Sequence, residues 1–287
     1  MLEEDLKLNE AGTDSIDIAQ TDQNLTIDDM FQQNKVDSLA RKICSISTLT
    51  GPSGALFNIK KKPGSDSFVL VRKEVEVFPS VPIKTEITKE AIYDMLVTFG
   101  KEAPQVIGKM LRGLANEQEN SRLFEVLEAN SKDAGDLQLE DDIDPDSNFG
   151  QICKKVQNIV LKMNQKNFRT YEAFCILPYY AAGAIMHQTY WLDKEDSDSN
   201  GLYITTIGKT KYYLNPNVDS TTAYIGLKDT NMSKSSLVFS PYQSEVAIAI
   251  NPDNGNEVYR IFNRFAITPS PLNETDDEML YKFNILV

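Results

Sequence analysis

Residues Leu56 to Val77 read LFNIKKKPGSDSFVLVRKEVEV. Leu56, Phe57 and Ile59 lead into the break KKPGSDS, after which FVLVRKEVEV alternates β-type residues. Pro63-Gly64 is a strong turn signal. The pattern predicts a long β-hairpin over residues 55 to 78 that projects from the body and contacts another subunit. Its tip is basic, Lys60 to Lys62; such a loop is commonly just solvated, and it also suits an acidic neighbour. Just upstream, Gly51-Pro52-Ser53-Gly54 has the glycines of a tight loop but lacks the lysine of a phosphate-binding P-loop.

Downstream the period changes. Thr88 can cap a helix whose first turn carries Glu90. Ile92, Leu96 and Phe99, then Ile107, Met110, Leu111 and Leu114, recur at helical spacing. Pro104 should kink or split this run, and SRLFEVLEAN extends it to Asn130. A helix of about 40 residues is far above the usual three turns, so it reads as a spine. Residues 131–147 read as an acidic linker. Asp141, Asp142, Asp144 and Asp146 resemble a calcium loop only superficially, because the glycine and closing glutamate of an EF-hand are missing. Phe149, Ile152, Val156, Ile159, Val160 and Met163 make an amphipathic helix, followed by a buried strand in EAFCILP and a short helix in YYAAGAIMHQ.

Beyond Tyr203 the chain reads as strands: KYYLNP, TAYIGLK, SSLVFSPY, EVAIAI, VYRIFNRFAI and MLYKFNILV. The stretch YIGLKDTNMSKSSLVFSPYQ, Tyr224 to Gln243, reads as a hairpin-like unit, with Gly226 allowing close approach and Pro241 ending a strand. Residues 1 to 37 are acidic and polar, with Lys7 and Lys35 as their basic residues. They are expected to form an extended arm with little regular structure, ordered by docking on a neighbour. The architecture is α+β.

The 287 residues suffice for a sizeable core, and 41% hydrophobic content is ordinary for a soluble protein. No apolar run approaches the roughly 20 residues needed to span a bilayer. The start, MLEEDLKLNE, is acidic where a signal peptide is basic and then apolar, which points to a cytoplasmic chain. Cys44, Cys153 and Cys175 lie far apart with no CxxC pair, so buried, reduced thiols are expected. A net charge of −13 disfavours nucleic-acid binding; it suits a particle kept soluble at high copy number or a wall to which DNA does not stick, and ordinary solubility accounts for it equally well.

Catalytic equipment is sparse. His187 is the only histidine, so a Ser-His or Cys-His hydrolase would have to use it. Its flanks hold no nucleophile elbow or papain-type cysteine, and a helix-end or core-edge histidine is the favoured reading. No P-loop, GxGxxG or HExxH occurs. No catalytic, cofactor-binding or metal residue is assigned.

Several segments resemble major capsid proteins of T-even-like tailed bacteriophages. TLTGPSGALFNIKKK is similar to their Gly-Pro-x-Gly segment opening an extended loop, and IKTEITKEAIYDM to the start of their spine helix. NFRTYEAFCILPYYAAGAI resembles a strand and helix of their central domain. KYYLNPNVDSTTAYIGLKDTNMSKSSLVFSPYQ resembles their strand, Gly-x-Lys and Pro-Tyr unit, and NRFAITPSPL their Arg-aromatic segment. The matches run in order from about residue 39 to the end, although the chain is shorter than typical members and lacks their inserted surface subdomain.

The resemblance implies an HK-97-type capsid fold. It divides the chain into an arm (1–38), an extended loop with its lead-in strand (39–85), a spine helix (86–130), an axial domain (131–245) and C-terminal β-segments returning to the peripheral domain (246–287). By resemblance, Gly51, Pro52, Gly54, Lys60, Lys61, Lys62, Gly226, Lys228, Pro241, Tyr242 and Arg264 belong to the intersubunit loop and shell motifs. LNEAG resembles a maturation-protease site cut after Glu10.

The implied function is structural: hexamers and pentamers of this chain in an icosahedral head, enclosing double-stranded DNA without specific binding. Such a protein is not an enzyme, takes no cofactor and meets no membrane. Vertex, portal, scaffold and decoration proteins would be its partners, and the virion, assembled in the host cytoplasm, its location. The pentameric vertex protein of the same fold, or an encapsulin-type nanocompartment shell, are the alternatives.

Overall fold

A computed structural model describes residues 6–8, 14–16, 38–61, 67–79, 82–99, 103–139, 145–167, 172–189, 202–229, 235–271 and 279–286. In the arm, strands β1 (Leu6–Leu8) and β2 (Asp14–Ile16) pair antiparallel, with Leu6 opposite Ile16. This is more regular structure than the sequence suggests; the register sets two apolar residues across from each other.

The body follows as α1 (Leu39–Ile43), β3 (Ser45–Ile46), β4 (Ser53–Lys61), β5 (Phe68–Glu76), β6 (Ile83–Ile87), α2 (Lys89–Phe99) and α3 (Ala103–Asn130). Next come β7 (Lys132–Asp133), β8 (Leu137–Gln138), α4 (Pro145–Asn167), β9 (Glu172–Leu177) and α5 (Tyr179–Thr189). The remaining strands are β10 (Tyr203–Ile207), β11 (Thr210–Leu214), β12 (Thr222–Lys228), β13 (Leu237–Ile250), β14 (Glu257–Pro269) and β15 (Leu280–Leu286).

Among the described residues two larger sheets organise the body. The central one runs β10-β11-β9-β12-β15-β7, with β8 also pairing β15; the peripheral one runs β3-β13-β14-β6. On one face of the central sheet, Ile152, Val156, Ile159 and Met163 of α4 and Ala181, Ala182 and Ile185 of α5 pack on Cys175, Ile225 and Phe283. The opposite face, with Phe174, Ile176 and Tyr224, meets Leu39 and Ile43 of α1, Leu123 and Leu127 of α3, and Phe239, Phe265 and Ile267 of the peripheral sheet.

The spine is two helices, α2 and α3, with Pro104 in the first turn of the second, where its missing N–H leaves no bond unmade. Its buried stripe differs from the expected one: Leu96, Met110 and Leu114 are exposed, whereas Ile107, Leu111, Ala115, Glu119, Leu123 and Leu127 are buried. A step of four residues turns the stripe about 40° each time. Over this run it winds about 200°, so the first half of α3 faces Tyr259 and Ile261 while the second half faces the central sheet.

Four further expectations are corrected. TAYIGLK and SSLVFSPY do not pair as a hairpin; β12 lies in the central sheet and β13 in the peripheral one. The crossing is tied by Ser236, whose N–H and hydroxyl donate to the Leu227 carbonyl at 2.8 and 2.9 Å. Pro241 ends no strand: β13 runs through it, and a register shift between Pro241 and Gln243 accommodates the proline as a bulge. The boundary at 245/246 therefore falls inside a strand, and β15 pairs β12 in the central sheet, burying Leu280, Tyr281, Phe283 and Ile285 there. The expected linker supplies β7 and β8 to the open edge of β15, and α4 begins at Pro145.

Gly226 sits where the two sheets meet. A Cβ there would lie 2.5 Å from Phe174 Cζ and 2.6 Å from Ser236 Oγ. Gly226→Ala is expected to destabilise the chain by about 1–3 kcal/mol through overpacking; an unchanged urea midpoint would contradict this.

β15 is also tied to the spine at Glu128, which accepts from Lys282 Nζ and, at 2.8 Å, from the Tyr224 hydroxyl. The Lys282 bond first, then Tyr224, hold this carboxyl below its ordinary 4.5. Stability from a depressed carboxyl is present above the ordinary value and lost as pH falls through the folded one. Acid unfolding of Glu128→Gln should thus lack part of the slope that wild type shows below pH 4.5.

Candidate assembly surfaces

Strands β4 and β5 form a two-stranded ribbon paired from Ser53↔Glu76 to Lys61↔Phe68. Its base is fastened. Leu56 and Val75 are buried against Val238 and Ala266; Val77 N–H donates to the Pro52 carbonyl at 3.0 Å and Phe78 N–H to Phe265 at 2.9 Å. Gly54 is a close approach, since a Cβ would lie 2.6 Å from Leu49 Cδ2, whereas Gly51 makes only ordinary contact. Farther out Phe57, Val69 and Leu70 are 53, 47 and 63% exposed. Lys60 and Lys61 lie at the far end of β4 and Lys62 outside the described residues, as does Glu10.

Pro241, Tyr242 and Arg264 come together at the bulge. The Arg264 guanidinium stacks over the Tyr242 ring at 5.1 Å. Its Nε is buried without a hydrogen bond, beside a cleft of about 550 Å³ lined by Pro82, Gln243, Glu245 and Phe262. Gly226 and Lys228 lie apart from this group, on β12.

Sequence reasoning missed the joint that holds these parts. Glu119, 1% exposed, accepts from Arg41 at 2.7 and 3.0 Å, from Asn263 Nδ2 at 3.1 Å, and from the Ser38 hydroxyl. Asn120 Oδ1 accepts from Leu39 N–H at 2.8 Å. Arg41 also lies 5.0 Å over the Phe239 ring. Arm junction, spine and peripheral sheet thus meet on one carboxylate. The legible signal was a charge in an apolar ladder of four-residue steps: Ile107, Leu111, Ala115, Glu119, Leu123, Leu127.

The thiols are buried, Cys44 at 2%, Cys153 at 8% and Cys175 at 0% exposure, and burial pushes all three up from the ordinary value. They are poor nucleophiles. His187 is exposed in the last turn of α5. Among the described residues no group of three or more His, Cys, Asp or Glu could hold a metal ion. Nor is any helix there long and apolar enough to cross a membrane.

No protein-family model matches the chain, and no curated protein does. Solved structures do match across nearly its whole length. The mature capsid of bacteriophage PhiM1 is 9% identical, with 87% of each chain covered and a TM-score of 0.56. The virus-like particle from Pyrococcus furiosus is 13% identical, covering 89% of this chain and 95% of that one, at 0.55. Mycobacterium phage Che8 gives 11% identity, 82% and 85% coverage, and 0.52. At such identities the likeness is one of fold, and the fold is the HK-97-type capsid fold.

Removing Arg41 leaves the Glu119 carboxylate buried beside donors too weak to balance it. Arg41→Ala should cost about 3 kcal/mol, the low end for breaking a buried pair because the arginine side chain is 44% exposed. A loss under about 0.5 kcal/mol in urea unfolding would show that the pair does not hold the joint.

Proposed function

We propose that this chain is the major capsid protein of a tailed phage, many copies of which close into an icosahedral shell around double-stranded DNA. The observation that carries the reading is the match in fold, nearly end to end, to subunits of capsids and of a virus-like particle. The ribbon agrees with it: three large apolar residues stand in solvent on an element whose base is fastened through Leu56 and Val75. Permanent interfaces of this sort bury about 2,000 Å² or more. The ordered sequence resemblances support a phage of the T-even-like kind. The acidic balance of −13 fits a wall that holds DNA without gripping it.

A second reading is an encapsulin-type nanocompartment, a shell that encloses no genome; the likeness in fold to the virus-like particle from Pyrococcus furiosus is compatible with it. Negative-stain microscopy of the purified protein tests both: closed shells are expected, and their absence under all assembly conditions would overturn both. Shells from the source that contain nucleic acid favour the phage reading; shells with protein cargo alone favour the other.

The ribbon carries its own test. Phe57→Ser with Leu70→Asp changes two exposed side chains, so the melting temperature of the subunit should barely move. Shell yield should collapse. Normal shells from this variant would show that the ribbon makes no essential contact.

A further inference from the structure

The turn that joins β13 to β14 reads Asn251-Pro252-Asp253-Asn254-Gly255-Asn256. Three of its side chains close on one atom. Asn251, Asn254 and Asn256 each donate from Nδ2 to Oε1 of Glu86, on β6, at 3.1, 2.6 and 3.1 Å. Glu86 is exposed, and water alone would satisfy its carboxylate. The clamp therefore serves the turn. The turn is closed from within as well: Asn254 Oδ1 accepts from the Asn256 N–H at 3.1 Å, and the Gly255 N–H donates to the Asn251 carbonyl at 2.8 Å. Gly255 sits at φ 72°, left-handed backbone that glycine adopts freely.

Asn-Gly is also the dipeptide in which an asparagine amide is least stable, because no side chain hinders attack by the glycine nitrogen. We propose that Asn254 is a modification site, a deamidation centre that the Glu86 clamp holds closed in the folded chain. In the reaction the Gly255 nitrogen gives its proton to hydroxide and bonds to Asn254 Cγ. The Cγ–Nδ2 bond breaks, ammonia leaves with a proton from solvent, and a five-membered imide remains. One water molecule opens the imide at either carbonyl, leaving aspartate or isoaspartate. The sum is asparagine and water to acid and ammonia, with no oxidant or cofactor. Every group the reaction needs is engaged in the fold: Nδ2 on Glu86, Oδ1 on the Asn256 N–H, and the Gly255 N–H on Asn251. The flanking asparagines are poor substrates. Asn251 precedes Pro252, whose nitrogen has no hydrogen to lose, and Asn256 precedes Glu257, whose side chain hinders attack. The product sets a carboxylate where Nδ2 now donates, so two like charges face each other and the turn parts from β6. The site stands whether or not the chain builds a shell.

Peptide mapping by mass spectrometry reads the site in the full-length chain, incubated in mildly alkaline buffer with and without urea. Deamidation of Asn254 should run at least about tenfold slower in the folded chain than in urea, because it proceeds through the opened turn. Glu86→Ala changes an exposed position and leaves the fold standing; it should recover most of that difference. The other Asn-Gly pair, Asn200-Gly201, is read in the same digest and should not respond to Glu86→Ala. Equal rates at Asn254 in the folded and unfolded wild type overturn the proposal, as does a Glu86→Ala rate equal to wild type. So does equal acceleration at Asn200, which would mark a general loosening of the chain. Asn254→Asp reads the consequence directly: the backbone N–H groups of β6 should exchange with solvent several-fold faster than in wild type. Unchanged exchange would show that the product does not part the turn from the strand.

Discussion

A carboxylate buried to 1% exposure is costly unless donors surround it, and Glu119 is surrounded from three directions. Arg41 and Ser38 come from the arm junction, Asn263 from the peripheral sheet, and the glutamate itself from the middle of α3. None of the three elements can slide without stranding a charge in the interior. Hydrophobic packing alone is tolerant of small shifts; this joint is not. It fixes where the arm leaves the body and the angle at which the spine crosses the sheet.

The spine in turn holds two cores together. Because its buried positions step by four, the stripe winds round the helix, and one continuous element serves Tyr259 and Ile261 at one end and the central sheet at the other. A second connection is covalent: the chain passes from β12 into β13 with Ser236 bonded back to Leu227. A third is steric: Ser236, just ahead of β13, lies against the bare backbone of Gly226, where a Cβ would come within 2.6 Å of its Oγ. All three make the sheets one body.

Much of this was legible in the residues. The ribbon announced itself through alternation on both sides of Pro63-Gly64, α4 through its Ile152-Val156-Ile159-Met163 period, and Gly226 through its place in an otherwise apolar strand. What was not legible were the long-range partners. Nothing near Leu280 says that the strand pairs β12 rather than the peripheral sheet, because both sheets need a buried apolar strand. Pro241 reads as a terminator, and only the bulge opposite Phe265 and Arg264 lets β13 continue. Leu96, Met110 and Leu114 satisfy a helical period as well as the residues that are buried, and only the partners at each end of α3 decide between them. Glu119 stood out in its ladder, but its donors lie 78 and 144 residues away.

The ribbon has one more consequence. A lone pair of strands has too little core to be stable in water, and among the described residues of β4 and β5 only Leu56 and Val75 are buried. In the proposed shell a correctly placed neighbour would cover Phe57, Val69 and Leu70, which the lone subunit leaves in water. Growth of such a shell would couple each addition to the burial of that surface, and a subunit arriving at the wrong angle would leave it exposed and depart readily. Exposed apolar surface on the ribbon would then act as a form of proofreading, in which geometric errors are discarded because they cannot bury it.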